Sequence, residues 1–109
     1  MTIVVDANIA IAVLNSTDAF HLPALRTVLA AAGALILNLT RAEALIHPTR
    51  SGKFDAADAE LDRIGLTTMP LSDAVANRAR VLRASYGNRH FPMVDAVVVA
   101  LGIEHDCTV

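Results

Sequence analysis

The 109-residue sequence lacks most of the features that announce a protein class. It holds one cysteine, Cys107. One thiol cannot cross-link the chain, and without Cys or His partners at ligand spacing it is no zinc site. The ordinary reading is a small buried hydrophobe in a reducing cytosol. No stretch is long and apolar enough for a membrane span. The nearest, Leu22 to Leu39, is broken by Pro23, Arg26, Gly33 and Asn38, where about 20 clean apolar residues are needed. The N-terminus has no basic start, and Asp6 sits where the apolar part of a signal peptide would lie. A cytoplasmic protein is therefore expected. There is no Gly-rich phosphate loop, no G-x-S-x-G elbow and no histidine pair at helical spacing. His21, His47, His90 and His105 are scattered and read as surface or local hydrogen-bonding groups. Internal repeats, low-complexity tracts and linkers are missing too, so one domain is expected over residues 1–109.

What is present is a high apolar fraction, 54%, against 18% charged residues. Such a chain is neither disordered nor fibrous. For its length the apolar share is large, so some of that surface is expected to face a partner or a sister subunit. The net charge of −2 is unlike that of most nucleic-acid binders. The distribution tempers this, because local fields steer ligands better than net charge does. Arg41, His47, Arg50 and Lys53 form one basic stretch, and Arg78, Arg80, Arg83, Arg89 and His90 another. Asp55, Asp58, Glu60 and Asp62 between them read as a solvated helix face.

Short apolar runs alternate with amphipathic ones. Ile3-Val4-Val5 reads as a buried strand ending at Asp6, which caps a helix through Ile9, Ala10, Val13 and Leu14. Pro23 opens a second helix as an N1 proline and Gly33 ends it. Ala34 to Leu37 reads as strand two. Thr40 then caps a helix over Arg41 to about Ile46, whose simple continuation Pro48 forbids. Phe54 to Ile64 carries an apolar stripe of Phe54, Ala57, Leu61 and Ile64, ended by Gly65. Leu66 to Leu71 is a third strand weakened by Pro70. Ser72 caps a helix with Val75, Ala79 and Leu82 inward. Tyr86 to Phe91 reads as a loop, and Pro92 starts a last helix through Val97, Val98, Leu101 and Ile103. Cys107-Thr108-Val109 looks like the start of a fourth strand. The order β-α-α-β-α-α-β-α-α-β predicts an α/β domain whose parallel sheet is covered on both faces. A strand begun and stopped after three residues suggests a domain missing its C-terminal end.

Three carboxylates fall at one edge of that sheet. Asp6 follows strand one, Glu43 lies in the first turn of the helix after strand two, and Asp95 lies in the first turn of the last helix. In an open parallel sheet these points lie outside the carboxyl ends of the strands, where such sheets bind ligands. Each acid has a bland explanation. Asp6 is a good N-cap, Thr40-Arg41-Ala42-Glu43 spells a capping box, and Asp95 suits a helix dipole. Together they repel, at ~4 kcal/mol for a pair 4 Å apart at an effective dielectric of about 20. A hard divalent cation such as Mg²⁺ or Mn²⁺ relieves that repulsion and favours oxygen ligands. The set therefore points to metal-assisted phosphoryl chemistry, with Asn8 and Thr40 as supporting polar groups.

Val4-Val5-Asp6-Ala7-Asn8-Ile9, Thr40-Arg41-Ala42-Glu43 and Phe91-Pro92-Met93-Val94-Asp95-Ala96, in this order and spacing, resemble the PIN domain, and within it the toxin ribonucleases of the VapC type. The resemblance spans nearly the whole chain. It implies a three-layer α/β/α fold with about four parallel strands, the last incomplete here. It implies a Mg²⁺- or Mn²⁺-dependent endoribonuclease with Asp6, Glu43 and Asp95 as metal-binding carboxylates. Homodimerisation and silencing by a cognate antitoxin are implied as well. Arg41, Arg89 and His90 are the expected contacts to RNA phosphates. The resemblance implies a fourth acid, or an equivalent polar residue, just after the strand that starts near Cys107, a position beyond Val109, where this sequence ends.

Two rivals follow from the same residues. A truncated domain would keep the partner surface and lose catalysis. A receiver-like phosphoacceptor needs an aspartate ending the central strand and a later lysine. Strand two instead ends in Asn38-Leu39-Thr40, and the only lysine is Lys53. A D-x-D phosphatase fails at Asn8.

Overall fold

The computed structural model describes residues 1–86 and 92–107. Strand β1 (Thr2–Val4) leads into helices α1 (Ala7–Leu14) and α2 (His21–Ala30). Strand β2 (Gly33–Leu37) is followed by α3 (Asn38–Ala44), α4 (Ile46–Arg50) and α5 (Phe54–Arg63). Strand β3 (Leu66–Met69) precedes α6 (Asp73–Tyr86) and α7 (Met93–Glu104). Among the described residues the sheet has three strands in the order β1-β2-β3, all parallel, with Val4 opposite Leu35 and Leu35 opposite Thr67.

Strand alternation divides the core in two. Val5, Ala34, Ile36 and Leu66 face one cluster, which takes in Ala10 and Val13 of α1, Ala24 and Val28 of α2, and Leu61 of α5. Val4 and Leu37 face the other, with Val75 and Ala79 of α6 and Ala96, Val97 and Leu101 of α7. Neighbouring strand residues point to opposite faces, so apolar runs without polar alternation are what a sheet covered on both sides requires. This gives the expected three layers.

Several expectations hold in detail. Asp6 caps α1, its Oδ1 accepting the Ile9 amide at 3.0 Å. Ser72 Oγ accepts the Val75 amide at 3.2 Å at the start of α6. Gly65 ends α5 at a left-handed φ of 89°, a region glycine enters without steric cost. The third strand begins at Leu66 as expected but is shorter than the expected Leu66 to Leu71, because it stops at Met69, before Pro70, which has no amide to give the ladder.

Others are corrected. Gly33 does not end α2. That helix stops at Ala30, and Gly33 opens β2 paired with Thr2. Pro23 is the third residue of α2 rather than the first. It still lies in the turn whose amides have no helical acceptor, so its missing N–H costs nothing. The helix after β2 begins at Asn38, directly from the strand and without a side-chain cap. Thr40 is therefore inside the helix and buried, and the Thr40–Glu43 capping box does not form. Glu43 lies in the second turn instead of the first. Pro48 does not leave a loop: it sits in the first turn of an additional short helix, α4, where the same tolerance applies. Tyr86 belongs to α6 rather than to a loop. Of the expected fourth strand, Thr108 and Val109 lie outside the described residues. Cys107 follows a helix end at which its amide reaches Gly102 O at 2.7 Å and the Asp106 amide reaches Ile103 O at 3.2 Å. This pair of bonds is a Schellman closure, with Asp106 in the left-handed position at φ 52°.

Candidate metal and phosphate site

The carboxyl edge of the sheet holds a small crevice of about 120 Å³. Asp6, Asn8, Thr40, Glu43 and Asp95 line it, together with Ala7, Val94 and Val98. Each acid reaches it for a local reason. Asp6 ends the β1 segment and is held by its cap to Ile9. Thr40 and Glu43 stand three residues apart on α3 and so share a helix face. Asp95 lies in the first turn of α7, which packs against β1 and α6. Residues from three distant parts of the sequence thus meet in one place. Val94 and Val98, four residues apart on α7, give the crevice an apolar wall. The sequence offered no sign of this wall, because both positions suit an ordinary core stripe.

Among the described residues no cation lines the crevice. Among the described residues neither Glu43 nor Asp95 has a hydrogen-bond or ion-pair partner. Both are exposed, Asp6 is half-buried and Thr40 is buried. Also among the described residues, no three His, Cys, Asp or Glu side chains lie close enough to grip a metal ion directly. The donor set still fits one kind of ion. Carboxylates, an amide and a hydroxyl are hard oxygen donors, and Mg²⁺ usually retains several waters while taking only one or two protein carboxylates. Water in the gaps between the acids would complete such a shell.

The expected RNA contacts fare differently. Arg41 is not among the residues lining the crevice. Its side chain is 11% exposed and bridges to Asp58 at 2.7 Å and Asp62 at 3.0 Å on α5, with a further bond to Thr68 Oγ1 on β3. Burial opposes its charge, but the hydrogen bond to Asp58 and the charges of Asp62 and Asp58 outweigh it and raise its pKa. Arg41 is a clamp between α3, α5 and β3. The acidic run is correspondingly not a wholly free solvated face. Arg89 and His90 lie outside the described residues.

The fold and crevice together define an α/β domain with an acidic site at the carboxyl ends of parallel strands. The PIN domain family model matches residues 3–109, and the chain belongs to that family. Among solved structures it is similar to VapC20 of Mycobacterium tuberculosis, described as a sarcin-ricin loop cleaving toxin. The identity is 20% and the TM-score 0.76, covering 98% of this chain and 85% of that one. A toxin-antitoxin complex from Klebsiella pneumoniae matches at 21% identity and TM-score 0.80, covering 96% and 81%. VapBC2 of Rickettsia felis, bound to a DNA fragment from its promoter, matches at 16% identity and TM-score 0.73, covering 98% and 84%. At these identities the likeness is one of fold. A sequence search of curated proteins finds no match.

Proposed function

We propose that this protein is a Mg²⁺- or Mn²⁺-dependent endoribonuclease and the toxin of a toxin–antitoxin pair. The observation that carries the reading is the convergence of Asp6, Glu43 and Asp95 in one crevice that no cation among the described residues neutralises. Membership of the PIN family and the toxin descriptions of the structural neighbours support it. A bound divalent ion would neutralise phosphate charge and make an attacking water more acidic. Asp6 and Asp95 would hold that ion, and Glu43 would hold it through water or help a second one. Asn8 and Thr40 supply hydrogen bonds that orient water or a phosphate oxygen. Arg89 and His90 contact neighbouring phosphates, which gives affinity more than sequence choice.

An antitoxin and a second copy of the chain are the proposed protein partners, in the cytoplasm. Among the described residues no helix is long and apolar enough to cross a membrane. Phe20, Leu22 and Leu29 are 71%, 56% and 59% exposed, an apolar surface that suits a protein partner. Sedimentation velocity tests the homodimer, and a monomer at tens of micromolar would count against it.

A second reading has one observation in its favour. The three acids do not close into a direct metal cage, as suits a partner-binding module without catalysis. Incubation with a mixed-sequence RNA separates the two. Cleavage by the parent in Mn²⁺, lost in EDTA and in Asp95→Asn, is the expected result. An RNA left intact at stoichiometric protein in Mn²⁺ would favour the binding module.

A further inference from the structure

The acidic crevice holds about four waters' worth of space at ~30 Å³ each. A phosphate fits there, and the nucleotides on either side of it must lie on adjoining surface. One such surface shares a wall with the crevice. A groove of about 1000 Å³ runs between the end of α1, the turn after it, α3–α4 and α5, and Glu43 lines both hollows. Ile11, Leu14 and Ile46 give the groove apolar surface, and Lys53 and His47 line it as well.

Its charges are unevenly satisfied. Arg41, Arg63 and Arg78 are each committed to a carboxylate. Lys53, His47 and Arg50 have no hydrogen-bond or ion-pair partner for their side chains among the described residues, and all three are exposed. Arg50 does not itself line the groove, but it follows His47 by three residues on α4, so it shares the face of a lining residue, which Arg26 on α2 does not. Of the groove's acids, Glu60 is engaged by Arg63 Nε at 2.8 Å, and Glu43 stands at the junction with the crevice. Unspent positive charge therefore flanks a channel that opens onto a phosphate-sized site. Cations along a groove are how proteins track the phosphates of a single strand, and here aliphatic Ile11, Leu14 and Ile46, rather than aromatic rings, would lie under the bases.

From this we infer that the groove seats the RNA strand on one side of the scissile phosphate. Lys53 and Arg50 hold successive phosphates, and His47 donates a ring hydrogen bond to the strand. All three are positioning residues. The inference rests on the ribonuclease reading, and its test is separable from that reading. The probe is a fluorescein-labelled 12-nucleotide single-stranded RNA of mixed sequence, titrated in EDTA and read by anisotropy across a NaCl series. Each phosphate contact to a single strand contributes about 0.7 to the slope of log affinity against log salt. The double variant Lys53→Gln/Arg50→Gln should bind about tenfold more weakly at low salt and lose about 1.4 of that slope. Arg26→Gln, an exposed cation on α2 outside the groove, should match the parent. Circular dichroism checks folding. Unchanged affinity and slope in the double variant would overturn the inference and leave the groove to a protein segment. Cleavage of the same RNA by the parent in Mn²⁺ is scored separately and reports on the ribonuclease reading alone. If the parent cleaves, the double variant should raise KM severalfold at an unchanged kcat, whereas a fall in kcat with KM unchanged would count against a positioning role.

Discussion

At Asp6 one carboxylate caps α1 through the Ile9 amide and also lines the acidic crevice. Substitution separates the two roles. Asparagine keeps a capping oxygen and removes the charge, while alanine removes both. Asp6→Asn should change the urea midpoint little, and Asp6→Ala should cost about 1 kcal/mol of stability. Both should lose RNA cleavage. An Asp6→Asn variant that still cleaves at the parent's rate would mean that Asp6 is a cap and nothing more. Glu43 has no such second role in the helix, because the capping box that its sequence spells does not form.

Among the elements, α3 shows what the sequence could and could not reveal. Its place after β2, and hence the arrival of Glu43 at the carboxyl edge, followed from an apolar run succeeded by a polar, helix-compatible stretch. Its first residue did not, because β2 passes into helix at Asn38 with no capping side chain to mark the boundary. The short α4 was hidden for a related reason. Pro48 reads as a breaker in sequence, yet a first-turn proline lacks only an amide that no carbonyl would have used. Arg41 looked like a phosphate ligand because it stands beside Thr40 in a basic stretch. Only the fold reveals that Asp58 and Asp62, one helical turn apart on α5, take its guanidinium. Arg41→Met should therefore cost about 1 kcal/mol in urea unfolding, a modest figure because Asp58 and Asp62 remain partly in water. It should leave RNA affinity in EDTA at the parent's value. A tenfold loss of RNA affinity with stability unchanged would restore Arg41 to the RNA surface.

For the whole molecule, a sheet covered on both faces brings three acids, 37 and 52 residues apart along the chain, to one edge. The α/β class and the arrival of these acids at one edge of the sheet were legible in the sequence, because apolar runs mark the strands whose carboxyl ends they follow. The groove sharing Glu43 was not legible. It depends on how α1, α4 and α5 pack, and no local pattern encodes that. The central claim is that Asp6, Glu43 and Asp95 make one cation site. The measurement that tests it most directly is calorimetric titration of Mn²⁺ into the parent, Asp6→Asn and Asp95→Asn, each verified as folded by circular dichroism. The account predicts that the parent binds Mn²⁺ and that each variant loses that binding, since α1 and α7 contribute to the same site. Mn²⁺ binding that survives in both folded variants would contradict it and leave these acids as neighbours that share no ion.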